Sequence, residues 1–209
     1  EPDKEVREEA VQRYQKMHAI RVRYQSYTDG GTPVLAAPKY DSWRTIVIPE
    51  FLHAMHGALL ASHRSPWAFV SMTGKPMLST NFSVDYWRPM RDGADERVAG
   101  RSYAARPKVP AVEEMAGEDL FGLRHWAKGK LDEPGDIARV AVEARMGHEL
   151  PGMEGVYSEV TPAMEERVVM YLQGVWEKEV VGEGLWIAPF PIRLPDDLFG
   201  EVPPLFSGL

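Results

Sequence analysis

IRVRYQSYTDGGTPVLAAPKYDSWRTIVIPEFLHAMHGALLASH, residues 20–63, changes its periodicity once, and that change sets the fold class. Over IRVRYQSY apolar and polar residues alternate, which is the two-residue period of a half-buried strand. TDGG follows as a turn, since glycines accept backbone conformations that side chains resist. TPVLAAPKYDS then leads into WRTIVIP, so the stretch predicts two or three short antiparallel strands with a hairpin tip near Lys39, Tyr40, Asp41 and Ser42. From Pro49 the period becomes helical: EFLHAMHGALLASH carries Phe51, Leu52, Met55, Leu59 and Leu60 at helix spacing, with proline at the first turn. The expectation is an α+β fold, mainly helical, with a small antiparallel sheet at one edge.

Downstream, WAFVS reads as a short strand and TGKP as a turn. Ser79 or Thr80 is placed to cap the helix NFSVDYWRPMRDG, which Pro89 bends or ends. Residues 92–117 have no sustained period and read as a surface loop. Helices are predicted at 118–131, containing GLRHWAKGKL, and at 135–146, the second closed by Gly147 as a left-handed cap. PGMEGVYSEV connects to a long helix capped by Thr161, PAMEERVVMYLQGVWEKEV, with Met164, Val168, Tyr171, Leu172 and Val175 on one face. Residues 1–18 read as a polar N-terminal helix and 19–180 as the body of the domain. Residues 181–209 form a Pro-rich tail whose Trp186, Phe190, Phe199, Leu205 and Phe206 are expected to dock on the body or on another subunit.

The 209 residues, 44% hydrophobic, suffice for one core and not for two large domains. No apolar run reaches the roughly 18 residues of a membrane span, and EPDKEVREEA is not a signal peptide, so a soluble, cytoplasmic chain is expected. The absence of cysteine removes disulfides and thiolate metal sites. A net charge of −7 weighs against a nucleic-acid partner, although a basic groove on an acidic chain escapes that count. His18, His53, His56 and His63 show no partner set at metal spacing, with His53 and His56 reading as helix-surface residues, and neither metal nor cofactor is expected.

The residues that carry chemistry come in a fixed order. Leu123-Arg124-His125 lies on a predicted helix, Gly147-His148 follows at a helix end, and Tyr157 comes nine residues after His148. A guanidinium offers a fork for two phosphate oxygens, an imidazole donates a hydrogen bond or moves a proton, and a phenol can serve as nucleophile. Lys39, at the expected hairpin tip, can reach a leaving oxygen. Together these are the parts of a phosphodiester transfer that uses no metal.

In that order the stretches APKYDSWRTIVIPEFL, STNFSVDYWRPMRDG, GLRHWAKGKL and ARMGHELPGMEGVYSEVTPAM resemble the tyrosine recombinases, or phage-type integrases, in particular those of actinobacteria. The resemblance spans roughly residues 19–180. It implies that Tyr157 attacks a DNA phosphate to leave a 3′-phosphotyrosine, that Arg124 and His148 hold the phosphate oxygens, and that Lys39 protonates the departing 5′-oxygen. Arg124, Lys39, Arg44 and His125 are then the expected DNA contacts. The partner would be double-stranded DNA, the working form a tetramer on paired sites, and no ATP or metal would be required.

Two positions depart from the pattern. Phe121 stands three residues before Arg124, where the family has histidine or lysine. A first arginine in a G-x-R-x-x-E setting falls at or before residue 1, and Arg7, followed by Glu8-Glu9-Ala10, does not fit it. Loss of one such donor from a preorganised phosphate site costs on the order of 10²–10³ in rate, so the chain is expected to be an incomplete catalytic set, poorly active or inactive by itself. An alternative is therefore a catalytically degenerate DNA-binding or protein-interaction module, and a further one an unrelated helical interaction protein.

Overall fold

The alternation over residues 19–29 forms two antiparallel strand pairs nested in sequence. β1 (Ala19–Val22) pairs with β4 (Arg44–Val47), from Ala19↔Val47 to Val22↔Arg44. Between them in sequence, β2 (Gln25–Asp29) pairs with β3 (Thr32–Ala36), from Gln25↔Ala36 to Asp29↔Thr32. The computed structural model describes residues 17–30, 32–71, 74–101, 103, 105–148 and 159–183. The expected helix at 3–18 falls outside the described residues up to residue 16, as do the segment carrying Tyr157 and the tail from 184.

The hairpin tip therefore lies at Asp29–Thr32, not at Lys39–Ser42. The two ladders are out of step: residues 23 and 24 are all that separates β1 from β2, whereas residues 37–43 separate β3 from β4. The surplus leaves the ladder as an excursion, as in a bulge enlarged to a turn. At its centre Lys39–Asp41 form a 3₁₀ turn, with Tyr40 (φ 58) and Asp41 (φ 48) both left-handed.

The described residues fall into two compact units, one built from those before residue 63 together with those after residue 130, and one from those between 63 and 130. In the first, α1 (Glu50–Ala61) starts directly after Pro49, and its Phe51 ring stacks on Trp176 with centroids 4.6 Å apart. Leu60, expected on the apolar stripe, is half exposed. The core gathers Leu131 with Ala141, Val142 and Met146 of α5 (Arg139–Met146) and Val168 of α6 (Pro162–Val175). Met164, Tyr171 and Leu172 pack around that cluster, as the helical spacing predicts. Thr161 caps α6, its hydroxyl accepting from the Met164 amide at 3.4 Å.

In the second unit, α2 (Ser79–Phe82) runs through a π-helical turn (Ser83–Trp87) into α3 (Arg88–Asp92). The wide turn precedes Pro89, which has no amide to give to an α-helical ladder, so the helix continues past the proline instead of ending at it. The WAFVS strand is reduced to an isolated bridge, Val70↔Pro76. Residues 94–109, expected as surface loop, fold back on themselves through the bridges Ala94↔Val109 and Arg97↔Arg106. Arg97 fixes this return, pairing with Asp85 at 3.3 Å and lying 4.6 Å over the Tyr103 ring. α4 (Gly122–Asp132) begins in this unit, while its Leu131 belongs to the core of the first.

Candidate functional site

The most constructed polar feature of the first unit is the end of α5. Gly147 takes the left-handed conformation (φ 72, ψ 33) that the sequence predicts, and its amide donates to the Ala144 carbonyl at 3.0 Å. The next amide, of His148, returns to the Glu143 carbonyl at 2.9 Å. This pair of return bonds is the Schellman closure, which lays the residue after the glycine back over the last turn. The side chains repeat the backbone contact: His148 Nδ1 lies 2.7 Å from Glu143 Oε2.

The two partners differ in exposure. Glu143 is buried, at 8% residue exposure, whereas the His148 side chain is 43% exposed. A carboxylate is an acceptor, so Nδ1 is the nitrogen that carries the proton. In the neutral ring the lone pair then resides on Nε2, which can take a proton and give it back. An acid that fixes tautomer and ring orientation in this way is how catalytic imidazoles are commonly prepared.

Two arginines secure this cap to β4. The Arg44 guanidinium lies against Gly147 so closely that a Cβ there would stand 2.6 Å from Nη1 and 2.8 Å from Cζ. Its Nη1 also donates to the Ser42 carbonyl at 3.2 Å, which ties it to the end of the 37–43 excursion. Arg145 donates from Nη1 to the Val47 carbonyl at the other end of β4. Burial lowers the Arg145 pKa from its ordinary value, and the charge of Glu165 acts in the opposite direction.

Of the residues singled out in the sequence, Arg44 and His148 both lie at this cap, Arg44 against Gly147 and His148 against Glu143. Lys39 is exposed on the excursion that ends beside Arg44. Arg124 is half-buried on α4 in the second unit, its amide bonded to the Phe121 carbonyl at 2.9 Å. His125, exposed on the same helix, meets the Phe121 ring edge-on with centroids 5.4 Å apart. Tyr157 lies outside the described residues.

Glu143 and Arg145 are functional candidates that sequence reasoning passed over. Glu143 left a usable signal: once Gly147 is read as a left-handed cap, the following residue must return over the position five before it, and that position is an acid. Arg145 left none, because its acceptor is a backbone carbonyl distant in sequence. The histidines set aside as lacking a partner set require correction. His18 and His53 come together with Glu50, joined by strand pairing and by one helical turn, neither of which is visible as a motif spacing.

No protein-family model, curated protein or solved structure matches this chain.

Proposed function

We propose that this chain is the catalytic region of a DNA strand transferase working through a tyrosine nucleophile, as in the tyrosine recombinases. The observation that carries the reading is the carboxylate-held imidazole of His148, with the Arg44 guanidinium on the same helix cap, nine residues ahead of Tyr157. A phosphate in transit needs cationic donors and one group able to exchange a proton, and these residues supply both kinds.

In the proposed step the Tyr157 hydroxyl attacks a DNA phosphorus and passes its proton to His148 Nε2. The bond from phosphorus to the 5′-oxygen breaks, and that oxygen takes a proton from Lys39. The product is a 3′-phosphotyrosine and a free 5′-hydroxyl, whose later attack reverses the step onto the same or a second duplex. Arg44 neutralises charge that builds on the non-bridging oxygens. The ester is exchanged and not hydrolysed, so no external energy source is consumed.

The test is a trapping experiment with duplexes of randomised sequence that carry a 5′-bridging phosphorothiolate, a leaving group that needs no protonation. The expected result is a DNA adduct mapped by mass spectrometry to Tyr157, absent in Tyr157→Phe and reduced on the order of 10²-fold in His148→Ala. Lys39→Ala should retain the adduct with the sulfur leaving group and lose it with the oxygen one. DNA retained without any adduct would instead support the degenerate binding module. Phe121 favours that second reading, since it offers a hydrocarbon ring, in T-shaped contact with His125, where a phosphate donor is expected.

A further inference from the structure

We propose that His18, Glu50 and His53 form a binding site for one divalent first-row transition ion, with zinc as its simplest occupant. The proposal stands apart from the strand-transfer reading, which uses none of these residues. The two backbone segments that bear the ligands are fixed to each other. The Ile48 amide donates to the His18 carbonyl at 2.9 Å, one step beyond the Ala19↔Val47 pair. Val47, Ile48 and Pro49 beneath are buried, and Pro49 hands the chain into α1 so that Glu50 and His53 share its first turn. His53 is held there by its amide bond to the Pro49 carbonyl at 3.0 Å.

Three donors converge on this corner. His18 Nε2 lies 3.0 Å from Glu50 Oε2, and one donor atom from each of the three side chains falls within 4.8 Å of the others. Tetrahedral zinc with bonds of about 2.0–2.1 Å separates its ligand atoms by roughly 3.3 Å, so closing the set takes rotation of the side chains. The His18 and His53 rings are parallel, with centroids 3.5 Å apart and planes within 3°. Parallel rings cannot aim both in-plane lone pairs at one ion, so binding must turn one imidazole out of the stack. Both histidine rings reach solvent, His53 being exposed and the His18 side chain 40% exposed, which leaves room for that turn.

The donor set selects the ion class. Two imidazole nitrogens and one carboxylate oxygen suit zinc, nickel, copper or ferrous iron, whereas calcium and magnesium take all-oxygen shells. Three protein ligands also leave at least one position for water or an anionic ligand. With Glu50 68% exposed, its ion pair with His18 contributes little.

Isothermal titration of the full chain with zinc chloride at pH 7.5 tests the proposal, with circular dichroism confirming that each variant is folded. One zinc per chain is expected. His18→Ala and His53→Ala should each weaken binding by more than tenfold, Glu50→Gln by less, and His56→Ala not at all, because its Nδ1 lies 2.7 Å from the Leu52 carbonyl and outside the cluster. A second readout is the imidazole NMR spectrum, where zinc should shift the His18 and His53 ring signals together and leave His63 and His148 in place. Absence of binding with zinc in large excess, or binding unchanged in both His18→Ala and His53→Ala, would overturn the site and leave an ion pair beside a ring stack.

Discussion

Replacing Gly147 by alanine separates two costs that the cap of α5 combines. The first is conformational: at φ 72 a Cβ meets the following carbonyl, a strain of about 1–2 kcal/mol. The second is the Arg44 guanidinium, which the new methyl would approach to 2.6 Å. That group is the far end of a flexible side chain, so it moves instead of forcing the backbone, and the added cost sits at the low end of overpacking, about 1 kcal/mol. Gly135 provides the control. It has the same φ of 72, but a Cβ there meets nothing within 4 Å. Loss of unfolded-state freedom favours alanine at both sites and cancels in the comparison. Urea unfolding should therefore place Gly147→Ala about 1 kcal/mol below Gly135→Ala. In an Arg44→Ala background that difference should vanish, which is a coupling of about 1 kcal/mol in a double-mutant cycle. Equal costs for the two glycines, or an undiminished cost at Gly147 once Arg44 is truncated, would refute the packing of Arg44 on this cap.

Other consequences can be measured directly. Glu143→Gln should leave the Gly147 turn intact and weaken the hold on His148 Nδ1, read as loss of the single imidazole tautomer in nitrogen-15 NMR; an unchanged tautomer would mean that the carboxylate does not set it. Leu131→Ala, at 2% exposure in the core of the first unit, should cost about 3 kcal/mol by urea unfolding, whereas Leu60→Ala, half exposed on α1, should cost under about 1. The hydrogen bond from Arg91, with a smaller share from its charge, holds the Asp92 carboxyl below its ordinary pKa against an opposing effect of burial. The folded chain therefore binds that proton less readily than the unfolded one, so the contribution is present above the ordinary carboxylate range and is lost as pH falls through the depressed value. Asp92→Asn should accordingly flatten the acid limb of the stability curve, and an unaltered limb would show that the pair does not contribute.

The parts of the fold legible in sequence are those fixed by local rules. Thr161 as a cap, Gly147 as a left-handed stop and the apolar face of α6 each follow from residues within a turn or two of one another, and each is found where expected. The misplaced hairpin tip has the opposite origin. Both TDGG and KYDS offer turn chemistry, and only the register of the two ladders decides which of them reverses the chain. Pro89 shows the same limit, since whether a proline ends a helix depends on whether the preceding turn can widen. The α+β class thus follows from periodicity, while the site depends on register.

That dependence bears on how β4 relates to chemistry. Arg44 at its start lies on the cap that carries His148, Val47 at its end receives Arg145, and the next residue, Ile48, bonds back to His18. A slip of β4 by one residue would turn Arg44 to the opposite face of the strand and move Thr45 into its place. The Arg44 contact, the Arg145 bond and the His18 backbone bond would then be lost together. A single residue inserted between Ser42 and Trp43 can be absorbed by the 37–43 excursion, which is already outside the ladder, and should leave all three in place. The same insertion between Ile46 and Val47 cannot be absorbed. It should weaken zinc binding at His18, Glu50 and His53 and also remove the Arg44 guanidinium from Gly147, read as loss of the Gly147→Ala and Arg44→Ala coupling, even though the two sites share no side chain.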